Sequence, residues 1–102
     1  MDKKHLTRQA AIVKALAHPS RLFIVQELSK GERCVCEFKG LIGADMSTIS
    51  RHLSILRNAG IIVDEKRGNQ VFYSLKCSCV LDFLGCIEHV METTARELSC
   101  KI

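Results

Sequence analysis

The sequence predicts a mainly α-helical domain carrying one β-hairpin, an α+β fold. Three observations lead there. Apolar residues recur at helical spacing through most of the chain. One stretch, IIVDEKRGNQVFYSLK, abandons that spacing for two β-rich runs around Arg67–Gly68–Asn69. The single proline, Pro19, falls where a helix can begin, a place where its missing N–H costs nothing.

Composition sets the frame. A length of 102 residues predicts one domain over 1–102. Hydrophobic residues make up 47% with no tryptophan, so the core is expected to be aliphatic and the chain ordered. The N-terminus is charged and then amphipathic, unlike a signal peptide. No stretch approaches the roughly 18 apolar residues of a membrane span. The expectation is a cytoplasmic protein with no membrane partner. In that compartment thiols stay reduced, so six cysteines point to metal or redox chemistry rather than to disulfides. The net charge of +4, from 15 basic and 11 acidic residues, is compatible with nucleic acid but is equally ordinary solubility.

Leu6, Ala10, Val13 and Ala17 share a helical face, which predicts a first helix over about Lys4–Ala17. A second runs from Pro19 to near Lys30, with Leu22, Val25 and Leu28 on one face and Gly31 as its stop. Cys34 and Cys36 open a short third helix, about Val35–Leu41, which Gly43 breaks. Asp45 or Ser47 caps a fourth, in which Ile49, Leu53 and Leu56 repeat at i, i+4 and i+7, and Gly60 closes it. The hairpin follows. A last helix spans Cys79 to about Leu98, striped by Val80, Phe83, Leu84, Ile87, Met91 and Leu98. Helix, Gly-containing turn and helix make a helix-turn-helix. A hairpin directly behind it makes the winged helix-turn-helix.

On the fourth helix, at about 100° per residue, Ser47, Ser50, Arg51, Ser54 and Asn58 point away from the apolar face, with Thr48 at the leading edge. Short hydroxyls permit close approach to a major groove, and Arg51 can grip a guanine in two hydrogen bonds. A solvated, serine-rich face is the plainer reading. The basic hairpin tip, Lys66, Arg67, Asn69 and Gln70, favours contact with double-stranded operator DNA, where it can meet phosphate or the minor groove. His52 is half-turned inward. It is expected first as a partly buried core histidine and second as a backbone contact to DNA.

The stretches ALAHPSRLFIVQELSKGE, CVCEF, STISRHLSILRNAGII and KRGNQVFYSL together resemble the ArsR/SmtB family of metal-sensing winged-helix repressors, over nearly the whole chain and in order. The resemblance implies a homodimer built on the first and last helices. It also implies DNA binding that needs no cofactor and is relieved by a soft metal or metalloid. Cys34–Val35–Cys36–Glu37 resembles the metal motif of the arsenic-, cadmium- and lead-responsive branches, most of all the arsenic branch. The third cysteine of the enterobacterial arsenic sensors is replaced by Lys39, and the N-terminal cysteines of the cadmium and lead sensors are missing from Met1–Ala17. Cys77 and Cys79 fall where the family's zinc sensors place an acidic residue and a histidine.

Thiolates select arsenite, antimonite, Cd, Pb or Zn, so Cys34, Cys36, Cys77 and Cys79 are the candidate ligands. Arg33 and the nearby helix N-terminus are expected to lower the thiol pKa of the first pair. Two residues at i and i+2 on a regular helix point about 200° apart. Cys34 and Cys36 therefore chelate one ion only if they precede the first turn or unwind it. The two pairs could form one site or two. Cys86 is expected as a small buried hydrophobe, while Cys100 and His89 stay unassigned. The alternative is a thiol redox or persulfide sensor on the same scaffold. An enzyme is disfavoured because no nucleophile–base–orienter set can be read.

Overall fold

The structure is a computed structural model describing residues 1–100, with side chains through Leu98. Five helices and a three-stranded sheet follow in the order α1 (Lys3–Leu16), α2 (Pro19–Leu28), β1 (Arg33–Cys34), α3 (Val35–Ile42), α4 (Met46–Asn58), β2 (Ile62–Arg67), β3 (Gln70–Leu75) and α5 (Cys79–Cys100). No described helix is long and apolar enough to cross a membrane.

Local chemistry sets the boundaries. Asp2 accepts from His5 N–H at the head of α1, and His18 Nδ1 accepts from Ser20 N–H at the head of α2, where Pro19 sits in the first turn. Asp45, not Ser47, caps α4, accepting from Thr48 N–H at 2.9 Å. Gly43 and Gly60 end α3 and α4 at φ +78° and +82°, a left-handed region that glycine enters without a Cβ penalty.

The core is aliphatic with one aromatic at its centre. Phe38 is completely buried among Ile24, Val25, Ile49, Leu53 and Leu56. These side chains come from α2, α3 and α4, so the helix-turn-helix is fixed from behind. Ile61 and Ile62 extend the core under the wing.

The sheet departs from expectation. β2 and β3 form the predicted hairpin, paired from Ile62↔Leu75 to Arg67↔Gln70 around Gly68–Asn69. A third strand, β1, lies on the other side of β3, with Arg33↔Tyr73 and Cys34↔Phe72 in register. Two residues carry no periodicity, so β1 leaves no sequence signal.

α5 is about 33 Å long at 1.5 Å per residue and packs on the core only near its start, through Val80, Leu81 and Leu84. The radius of gyration is 16.1 Å, against about 13 Å for a compact chain of this length. Beyond Leu84, the apolar Ile87, Val90, Met91 and Leu98 are exposed.

Candidate DNA-reading face and thiol sites

The candidate reading face is built by the amphipathicity of α4. Ile49, Leu53 and Leu56 are fully buried, which turns Ser47, Ser50 and Arg51 outward into solvent. Thr48 and Ser54 are half-buried at the edges of that face, and Asn58 is exposed at its end. His52 is not on it. Its side chain is 7% exposed and its ring centroid lies 4.5 Å from that of His18. His52 Nδ1 is buried without a hydrogen-bond partner. Burial, then the charges of His18, Arg21 and Arg51, hold its pKa below the ordinary histidine value. The side chain belongs to the joint between α2 and α4, which removes it from the expected DNA-contacting surface.

The wing tip is less cationic than its sequence suggests. Lys66 and Asn69 are exposed. Arg67 is engaged: it donates to both carboxylate oxygens of Glu32, at 2.6 and 3.0 Å, and to Glu65 at 2.9 Å. Its guanidinium carbon also lies 4.9 Å from the centroid of the Phe72 ring.

The first thiol pair sits at the junction of β1 and α3. Cys34 is the residue before the helix, extended at φ −76° and ψ 149°, and Cys36 lies in the first turn. The pair therefore straddles the helix start, and its sulfurs approach to 2.9 Å. That geometry resolves the opposed directions a regular helix would impose. Cys34 is buried and Cys36 exposed.

Arg33 does not give Cys36 the expected lowering. Its guanidinium is taken by Glu27 at 3.1 Å and Glu37 at 2.8 Å. Glu37 also accepts from Cys34 N–H at 3.2 Å, fixing the turn. The hydrogen bond with Cys34 is the main reason the Cys36 pKa is raised.

The second pair precedes α5. Cys79 N–H points at Cys77 Sγ, 3.4 Å away. The side-chain hydrogen bond from Cys79, then its backbone N–H, lower the Cys77 pKa, while the Cys79 pKa rises against the same partner. Both cysteines line an apolar groove of roughly 390 Å³ between α1 and α5, with Ile12, Val13, Leu16 and Phe83.

Among the described residues, no group of three or more His, Cys, Asp or Glu side chains is arranged to hold a metal ion, so the two pairs do not merge into one four-thiol cluster within a chain. Cys86 is exposed on α5 rather than buried as expected, because no described part of the chain covers that stretch of the helix. The Cys100 side chain lies outside the described residues.

Sequence reasoning missed Glu32, Glu27 and His18. Glu32 and His18 lie 35 and 34 positions from Arg67 and His52 in the chain, beyond any local signal. Glu37 was detectable, because a carboxylate three residues after a cap has the capping-box spacing.

Residues 18–63 match the family described as bacterial regulatory protein, arsR family. A cadmium resistance transcriptional regulatory protein CadC homolog from Staphylococcus aureus is 40% identical over 79 residues, covering 72% of this chain and 65% of its own length. A biofilm growth-associated repressor from Xylella fastidiosa is 35% identical over 82 residues, covering 72% of both chains. The homodimeric winged helix-turn-helix DNA-binding domain from Mycobacterium bovis superposes with a TM-score of 0.77 at 28% identity, covering 90% of this chain and 87% of that one. The chain spans 62% of the regulator NmtR of Mycobacterium tuberculosis and 65% of the staphylococcal protein, under two thirds of each.

Proposed function

From its membership in the ArsR family of bacterial regulatory proteins, to which this chain belongs, we propose that it is a homodimeric repressor that leaves its operator when a soft ion binds cysteine thiolates. The family is one of DNA-binding regulators, not enzymes. The observation that carries the reading is α4, with a wholly buried apolar face and an opposite face of exposed Ser47, Ser50 and Arg51. A helix with that division can enter a major groove while its core face stays fixed. The wing, with exposed Lys66 and Asn69, lies beside it to meet the backbone.

The inducer is a thiophilic ion, with arsenite or antimonite favoured and Cd, Pb or Zn as alternatives. Cys34 and Cys36 are its first ligands, since their sulfurs already converge at 2.9 Å. Two thiolates are an incomplete donor set. Water, or a thiol of a second copy, fills the rest. Cys77 and Cys79 form a separate site. The cadmium resistance regulator among the relatives supports a soft-ion response.

The dimer uses α1 and α5. Exposed Ile12 and Val13 on the first helix and Phe83, Ile87, Val90 and Met91 on the last supply an apolar surface that one chain leaves open. A C2 pair sets two α4 helices on half-sites about 34–36 Å apart.

A thiol redox or persulfide sensor is the second reading, favoured by the same close sulfur contact. In it, a peroxide oxidises the Cys34–Cys36 pair to a disulfide and is itself reduced to an alcohol or water. Duplex binding under reducing conditions, challenged in turn with arsenite, Cd(II), Pb(II), Zn(II) and peroxide, decides between the two. Release by an ion supports the first reading, and release by peroxide alone supports the second. No affinity for any duplex from the chain's own upstream region removes both.

A further inference from the structure

Arg67 is one of the two cations that the sequence puts at the wing tip, yet it is occupied. Glu32 takes it with both oxygens, Glu65 takes one of its nitrogens a second time, and Phe72 lies beneath it. The side chains of Arg67, Glu32 and Glu65 remain 44%, 45% and 66% exposed. Ion pairs this open to water are weak and exchangeable. A backbone phosphate offers an arginine the same two-pronged acceptor as a carboxylate. Glu32 comes from the segment before β1, not from the hairpin, so its grip also fastens the wing tip to the rest of the domain.

We propose that Glu32 and Arg67 form an exchangeable clasp that withholds the wing arginine from DNA until a backbone phosphate displaces Glu32. This deepens the repressor reading and rests on it. With the clasp closed, the two carboxylates offset Arg67, and Lys66 is the wing-tip cation outside any ion pair among the described residues. With it open, Arg67 adds a second cationic contact to the duplex. Glu32 is thus a positioning residue: it touches no DNA and sets how readily Arg67 does. The same segment continues into Cys34, whose register partner is Phe72. An ion that fixes Cys34 in this register also keeps Glu32 within reach of Arg67, which favours the form with the wing withheld.

The test is a double-mutant cycle on duplex affinity, measured against salt with the full chain: wild type, Glu32→Gln, Arg67→Gln and the pair. All these positions are exposed, so the core is untouched, and thermal unfolding without DNA checks this. Glu32→Gln is expected to tighten binding about two- to five-fold, the scale of an exposed ion pair. Arg67→Gln is expected to weaken binding and reduce the log–log salt slope by about 0.9, one phosphate contact. In the Arg67→Gln background, the Glu32 substitution should change nothing. An equal gain in both backgrounds would reduce Glu32 to an ordinary repulsive charge and overturn the clasp. Arg67→Gln that binds like wild type also overturns it, because Arg67 then never reaches DNA. A wild-type chain that binds no duplex removes the repressor reading along with the clasp.

Discussion

Cys34 and Phe72 face one another across β1 and β3, and this register joins the thiol pair to the wing. Phe72 carries Arg67 over its ring, and Cys34 begins the helix that leads into α4. Whatever binds Cys34 and Cys36 therefore acts on a segment that touches both the wing and the helix-turn-helix, the two parts proposed to meet DNA. Such binding weakens operator affinity only if the ion prefers the DNA-free arrangement.

The double variant Cys34→Ser/Cys36→Ser should still bind operator DNA and should no longer be released by arsenite or Cd(II). A coupling of about 1–3 kcal/mol corresponds to a roughly 5- to 150-fold loss of operator affinity in the wild type. That ion-dependent loss is the quantity to measure. Cys77→Ser/Cys79→Ser should leave release by the first pair intact. If instead the second variant abolishes release and the first does not, sensing belongs to the start of α5.

Arg51 is exposed in the second turn of α4, between Ser50 and the buried His52. Arg51→Ala should cost about 1–3 kcal/mol of operator affinity and relax preference at a single base pair. A variant panel of operator sequences reads this directly. A uniform loss over all sequences would instead mark Arg51 as a phosphate contact.

How much of this could be read from the sequence depended on range. The order of the helices and the hairpin, though not β1, and the two faces of α4 followed from periodicity, because Ile49, Leu53 and Leu56 are spaced so that one helix can bury all three. Contacts between distant segments did not follow. Arg33 and Arg67 look free in sequence. Beyond the local Glu37 and Glu65, their partners Glu27 and Glu32 become neighbours only when α2 packs near β1 and β1 pairs with β3. Cys86 was expected inside because small apolar cysteines usually are, but α5 runs past the edge of its own core. The convergence of Cys34 and Cys36 turned on a single backbone angle set, with Cys34 extended rather than helical, which residue spacing alone cannot specify.

Val90 and Met91 are 62% and 59% exposed on a part of α5 that the described residues leave uncovered. Val90→Glu/Met91→Glu should leave helix content and the core intact while placing two charges in an apolar interface. Sedimentation should find the wild type dimeric at micromolar concentration and the variant monomeric, with operator affinity falling in step as the two half-sites lose their paired readers. An unchanged sedimentation coefficient would place the dimer contact elsewhere.

The burial of His52 predicts a stability change just below neutrality. The His52 pKa is lowered in the folded chain, while an unfolded histidine titrates near about 6.5. Between those two values the unfolded chain binds the extra proton, so stability rises with pH across that window. The contribution is fully present above the unfolded value, is lost as pH falls through it, and levels off below the folded value. Glu27, Glu37 and Asp45, whose pKa values are lowered by their hydrogen bonds, have their own window at more acidic pH and act in the same direction. Urea unfolding across about pH 5.5–7.5 should therefore show a midpoint that drops on the acid side. His52→Gln should flatten that drop without altering the acidic step below it. His18 is the group facing His52 across the joint, with Arg21 and Arg51 as the other nearby cations. If His52→Gln leaves the near-neutral slope unchanged, the buried imidazole of His52 is not the group that carries it.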